Sequence, residues 1–218
     1  MLDFNIFQYD PTSRNKDDIM PGLFTGLPPR GAARGREGDR LVLFLSLQGG
    51  ALSAETQREF LEKLTTVFYN TRGTVTIALR NIVGQLNDRL LARNLRAVQG
   101  HTPLVGLFQA LVYHDDTIYL AQSGACHTFL ISTDGVQHFF DPEGAGGGLG
   151  ISRSAAVRFF RSNLKPGDRI LLCANPPAGW TTDLLAGVAG SSPVSYGRRL
   201  LEGSPVGQRF LLLQTEKG

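Results

Sequence analysis

From Gly106 to Ala174 the chain repeats one pattern: an apolar run, three or four turn-forming residues, then another apolar run. Links that short leave no room for a crossover helix, so neighbouring runs must pair antiparallel. Gly106–Tyr113 and Thr117–Ala121 flank His114-Asp115-Asp116. Thr128–Ser132 and Gln137–Phe140 flank Thr133-Asp134-Gly135, and Val157–Leu164 and Arg169–Ala174 flank Lys165-Pro166-Gly167-Asp168. Asp and Gly suit such turns because one bonds its own backbone and the other accepts a positive φ. Three hairpins are therefore expected.

Upstream the period changes. Leu41–Leu47 reads as a buried strand ended by Gly49-Gly50. Ser53 can cap a helix with Phe60, Leu61, Leu64, Val67 and Phe68 on one stripe, and Asn70–Gly73 breaks it. Thr74 can cap a second helix, striped by Leu79, Ile82, Val83, Leu86 and Leu90. Arg72, Arg80, Arg89 and Arg93 fall mostly off that stripe and read as a solvated face. Short helices are expected near Thr182–Val188 and Val194–Leu201, with a last strand at Phe210–Gln214. Strands and helices are segregated, which implies an α+β fold: a four-layer α-β-β-α sandwich of two antiparallel sheets flanked by helices. The first 40 residues read as irregular. Within them Arg30, Arg34, Arg36 and Arg40 form a mobile basic loop suited to contact with an anion or partner.

The 218 residues are 42% hydrophobic, enough for one substantial core, and the net charge is only +3. Nucleic-acid binders gather a larger excess on one face, so no nucleic-acid partner is expected. No apolar stretch approaches a membrane span, and Met1–Asp10 has no signal-peptide pattern, so the expected location is cytoplasmic. Cys126 and Cys173 form no C-x-x-C pair and read as buried free thiols.

The residue types offer little chemistry. His101, His114, His127 and His138 lack metal-ligand spacing. Cys126-His127 puts a thiol beside an imidazole, but neighbours on a strand point to opposite faces. Asp115, Asp116, Asp134 and Asp168 sit in turns, and Gly144–Gly150 lacks the ending of a phosphate-binding loop and reads as a flexible connection.

One resemblance adds to this. Ile118–Leu130 followed by Asp134-Gly135 resembles the protein phosphatase 2C segment in which V-G-D-S-R-A-Y-L precedes a D-G hairpin. Leu149-Gly150 and Leu164–Cys173 are similar to that family's L-G and L-x-P-G-D-x-L-L-L-C-S-D-G-L stretches. Leu43–Gly50 sits where the family has F-x-V-x-D-G-x-G-G, and Thr102–Phe108 resembles its G-T-T-L-V-x-A strand entry. The likeness runs from about Leu41 to Gln214 and divides the chain into an irregular segment, 1–40, and a phosphatase 2C-like domain, 41–218.

In that family, strand-end aspartates hold two Mg²⁺ or Mn²⁺ ions that activate water against a phosphoserine or phosphothreonine ester. Carried over by position, these aspartates fall on Ser46, Ala125 and Asn175, and an arginine falls on His127. An N-terminal R-x-x-N-E-D is echoed weakly by Arg14–Asp18, and the late D-N-x-T falls near Ser204-Pro205. Hydroxyl, methyl and amide groups supply no charge to hold two divalent cations. The resemblance thus implies a pseudophosphatase with no cofactor, acting as a binding, regulatory or signalling module for a protein partner. The alternatives are a divergent metal-dependent Ser/Thr phosphatase, a hydrolase remodelled around Ser46, Cys126, His127 and Asn175, or a scaffolding part of a longer chain that uses the Arg30–Arg40 loop. Leu47 and Trp180 are candidates to fill the emptied cleft.

Overall fold

The computed structural model describes residues 2–12, 19–97, 100–144, 146–187 and 190–217. Its contacts define two interleaved units: Pro21–Cys126 with Asp141–Ser162, and Met1–Met20 with His127–Phe140 and Asn163–Gly218.

The first unit contains strands β2 (Leu23–Gly26), β3 (Arg40–Gln48), β4 (Val105–His114), β5 (Thr117–Ser123) and β8 (Arg158–Asn163), paired in the order β2-β3-β4-β5-β8. Helices α1 (Ala54–Asn70) and α2 (Val75–Arg96) pack on it. Both expected caps are present: the Ser53 hydroxyl accepts from Thr56 N–H and the Thr74 hydroxyl from Ile77 N–H. Strand alternation sends Leu41, Leu43 and Leu45 of β3 and Phe108, Ala110 and Val112 of β4 toward the helices. There they meet Leu61, Leu64 and Phe68 of α1 and Leu79, Ile82, Leu86 and Leu90 of α2. The β4–β5 hairpin turns on Asp115 and Asp116, both at positive φ, the type I′ geometry that matches the twist of two strands.

The second unit is the sheet β1-β10-β9-β6-β7, from β1 (Leu2–Tyr9), β6 (Cys126–Ser132), β7 (Gly135–Phe139), β9 (Arg169–Ala174) and β10 (Phe210–Lys217). Helices α3 (Thr182–Gly187) and α4 (Pro193–Glu202) supply Leu185, Tyr196 and Leu200 to a core with Phe129, Leu171, Trp180, Phe210 and Leu212. Ser192 caps α4 by accepting from Ser195 N–H, and Pro193 occupies its first turn.

Three expectations are corrected. The runs around Lys165–Asp168 do not form a hairpin: β8 joins β5 in one sheet, and β9 joins β10 and β6 in the other. The four-residue turn is real, with Asp168 accepting from Lys165 N–H at 2.8 Å, but it launches β9 rather than folding it back. Residues 1–40 are not irregular throughout. β1 pairs along its whole length with β10, and β2 pairs with β3. The echo at Arg14–Asp18 lies outside the described residues.

The Arg30–Arg40 loop is also tethered rather than mobile. Arg36 is 1% exposed and Asp39 is 0% exposed, and they form an ion pair at 2.9 Å. The same guanidinium donates to Gly73 O at 2.8 Å and lies over the Phe68 ring. The other Asp39 oxygen meets His114 Nδ1 at 2.6 Å. Removing one partner strands a buried charge. Arg36→Ala should therefore lower unfolding free energy by about 3–5 kcal/mol, whereas Arg34→Ala, at an exposed position, should leave it nearly unchanged. Urea denaturation of the two variants measures the difference.

Candidate functional site

The positions singled out by sequence divide between the units. In the first, Ser46 lies on β3, half-buried, opposite Leu107 of β4. Its neighbours Leu45 and Leu47 both pack on the helix side, so alternation points Ser46 to the other face. Leu47 therefore does not fill a site around Ser46. Trp180 does not either, because it packs in the helix-side core of its own unit, edge-on to Phe210.

Ala125 occupies the tight connection after β5. Gly124 takes φ +79, and a Cβ there would come within 2.5 Å of Leu107 Cδ2 and 3.1 Å of Gly148 Cα. The turn closes with Cys126 N–H donating to Gly124 O at 2.7 Å. Leu107, 3% exposed, thus borders both Ser46 and the turn carrying Ala125. An isobutyl group stands opposite Ser46 and against the Gly124 turn that leads to Ala125.

Cys126 is buried, and its thiol donates to Ser123 O at 3.3 Å. Burial pushes this thiol well above the usual range, so it stays protonated and a poor nucleophile.

In the second unit His127 and His138 face each other across β6 and β7, His127 Nδ1 lying 2.9 Å from His138 Nε2. Rings of Phe140 and Phe129 extend the pair into a stack, His127–Phe140 at 3.8 Å and Phe129–His138 at 4.3 Å between centroids. Burial, helped by the neighbouring imidazole, lowers the His127 pKa to about 4, and burial also lowers that of His138. A neutral, stacked imidazole cannot replace the permanent positive charge of an arginine.

Asn175 directly follows β9, exposed, at φ +48. Asparagine tolerates this left-handed conformation better than most residues. Its side chain offers an amide where the resemblance calls for a carboxylate.

The Gly-rich segment is docked, not loose. Leu149 and Gly106 exchange both backbone hydrogen bonds, at 2.8 and 2.9 Å. Gly150 N–H donates to Asn87 Oδ1, and Asn94 Nδ2 donates to Gly150 O and Leu104 O. Two asparagines of α2 therefore clamp the loop, a role that sequence periodicity concealed because both lie between apolar positions.

Among the described residues, no three His, Cys, Asp or Glu side chains gather so that they could hold a metal ion. The donors at Ser46, Ala125 and Asn175 do not fit a pair of Mg²⁺ or Mn²⁺ ions, which need carboxylate oxygens. No helix of the described residues is long and apolar enough to cross a membrane.

No family model and no curated protein matches the sequence. Solved structures do match. A serine/threonine phosphatase of S. agalactiae superposes with a TM-score of 0.70 at 10% identity, over 97% of this chain and 99% of that one. A serine/threonine phosphatase from Staphylococcus aureus gives 0.70 at 13% identity, over 100% and 96%. The catalytic domain of the serine/threonine phosphatase PstP, in complex with two manganese ions, gives 0.62 at 14% identity, over 99% of each chain. The chain therefore has the protein phosphatase 2C-like α+β sandwich fold. At this identity the likeness speaks for the fold alone.

Two outcomes follow for the candidate side chains. Neither thiol should react with iodoacetamide in the folded protein, and both should react in denaturant; rapid, pH-dependent alkylation of Cys126 would restore it as a nucleophile. His127 should titrate near pH 4 by NMR, below the ordinary value of about 6.5. Because the unfolded chain takes up that proton first, its contribution to stability is full above the ordinary value and falls as pH drops from there toward 4.

Proposed function

We propose that this protein is a phosphatase-fold binding module that does not hydrolyse phosphate esters by two-metal chemistry, and that it serves in the cytoplasm by engaging a protein partner. The observation that carries the reading is the side-chain set at three positions: Ser46, Ala125 and Asn175 offer a hydroxyl, a methyl and an amide. Two adjacent divalent cations repel strongly, and each needs anionic oxygens to offset both that repulsion and its own dehydration. Neutral donors leave that cost uncovered.

The rival reading, a hydrolase rebuilt on the same positions, needs a nucleophile and a base. Cys126 is buried with its thiol held protonated, and His127 is stacked between rings with its basicity reduced. Both features oppose acid–base work near neutral pH.

Calorimetric titration with Mn²⁺ and Mg²⁺, paired with para-nitrophenyl phosphate and phosphopeptide assays, tests the proposal. The expected result is no saturable metal binding in the micromolar range and no turnover above background. Micromolar binding accompanied by metal-dependent hydrolysis would overturn it.

A further inference from the structure

A groove of about 940 Å³ opens within the first unit, bounded by α1, the C-terminal half of α2, the turn after β3 and the segment before β4. Its walls carry Lys63 from α1, Arg89, Arg93 and Arg96 from α2, and His101. Among the described residues, no acidic side chain lines it. Phe60, Ala92, Ala97 and Leu104 give it an apolar floor.

The cations are available for a ligand. Lys63, Arg93, Arg96 and His101 are exposed. Arg89 is half-buried and held over the Phe60 ring with its guanidinium carbon 5.5 Å from the centroid, a contact that positions the group without neutralising it. The carboxylates nearby are committed or remote: Glu62 pairs with Arg58, and Glu59 stands 3.8 Å from Lys63 in an exposed contact worth little. Asp88 lies on α2 but does not line the groove.

A bland explanation covers part of this. Cations in the last turn of a helix are favoured by its dipole, which accounts for Arg93 and Arg96. It does not account for Arg89, two turns from the end, nor for Lys63 on another helix, nor for their meeting around one groove.

We infer that this groove binds an acidic segment of a protein partner, held extended, with carboxylates at alternate positions and an apolar side chain between them. The occupant follows from how the charges are spread. Arg89, Arg93 and Arg96 recur at helical spacing and extend over about 10 Å along one face, so they do not converge on a single point as a lone phosphate would require. Alternate residues of an extended peptide lie about 7 Å apart, close to the rise between Arg89 and Arg93. Guanidinium forks suit carboxylates, and the floor suits the intervening apolar side chain. The small net charge and the short length of the groove disfavour a nucleic acid, which would need a longer basic track. This inference rests on the binding-module reading for the class of partner only; the groove is independent of the metal-site positions.

The test uses the intact protein and a fluorescein-labelled octapeptide alternating glutamate with leucine. Anisotropy should report saturable binding that weakens as salt is raised. NMR amide shifts should cluster at residues 60–63 and 89–104. The charge reversal Arg93→Glu/Arg96→Glu, at exposed positions and checked for folding by circular dichroism, should weaken binding by about tenfold or more, which corresponds to roughly 1.4 kcal/mol. Replacing the peptide's glutamates by glutamine should do the same.

No binding at millimolar peptide would overturn the inference. So would binding indifferent to the charge reversal, shifts confined elsewhere, or tighter binding of a single-phosphoserine peptide or an equally charged oligonucleotide. None of these results bears on the metal titration, so the two readings fail separately.

Discussion

The Asp39 carboxylate is closed to water, and the first unit is organised around the groups that make this tolerable. One oxygen accepts from Arg36 and the other meets His114 at the end of β4, while the Asp39 carbonyl accepts from Tyr69 of α1. The Arg36 guanidinium then reaches Gly73 O in the link between α1 and α2. A single buried charge pair thus ties the loop before β3, both helices' connection and the β4–β5 hairpin together. A desolvated carboxylate is tolerated only if every lone pair finds a donor, so these pieces must be placed together or not at all. The same contacts hold the link between α1 and α2, the two helices that wall the groove beside Arg89 and Lys63.

The same helix performs three tasks through three faces. Leu79, Ile82, Leu86 and Leu90 of α2 enter the core, Asn87 and Asn94 clamp the loop at Gly150, and Arg89, Arg93 and Arg96 line the groove. The asparagines work because an amide both donates and accepts. Asn94 receives Leu104 N–H while donating to two carbonyls, which satisfies irregular backbone that would otherwise be buried unpaired. The loop's glycines belong to the same fit: Cβ atoms at Gly148 and Gly150 would collide with Val105 and Leu90.

How much of this was legible in the sequence depends on whether the cause was local. Caps at Ser53 and Thr74 and the turns at Asp115-Asp116 and Asp134-Gly135 are set by neighbours a few residues away, and all were readable. The β8–β9 link was misread because a Lys-Pro-Gly-Asp turn looks the same whether its strands pair with each other or enter different sheets; partner choice is a long-range property. β1 was missed because its partner, β10, lies at the other end of the chain. Arg36 was taken for part of a mobile basic patch because two of the groups that bury it, Gly73 and Phe68, are distant in sequence, and Asp39 alone does not reveal that the pair is buried. That Ser46, Ala125 and Asn175 are uncharged needed no structure, since it concerns residue type. That Leu107 lies opposite Ser46 and against the Gly124 turn did.

The backbone at these positions carries a further distinction. Gly124 holds φ +79 in a turn so tight that no side chain fits, and Asn175 holds φ +48 at a strand end. Conformations of this kind persist only where surrounding structure imposes them. Here the imposition comes from packing, Gly124 against Leu107 and Gly148, so the turn remains without any charge to position. Clustered carboxylates would repel one another unless cations held them, whereas serine, alanine and asparagine carry no such penalty. The turn that carries Ala125 is thus held by the packing around Gly124 and not by a charged side chain.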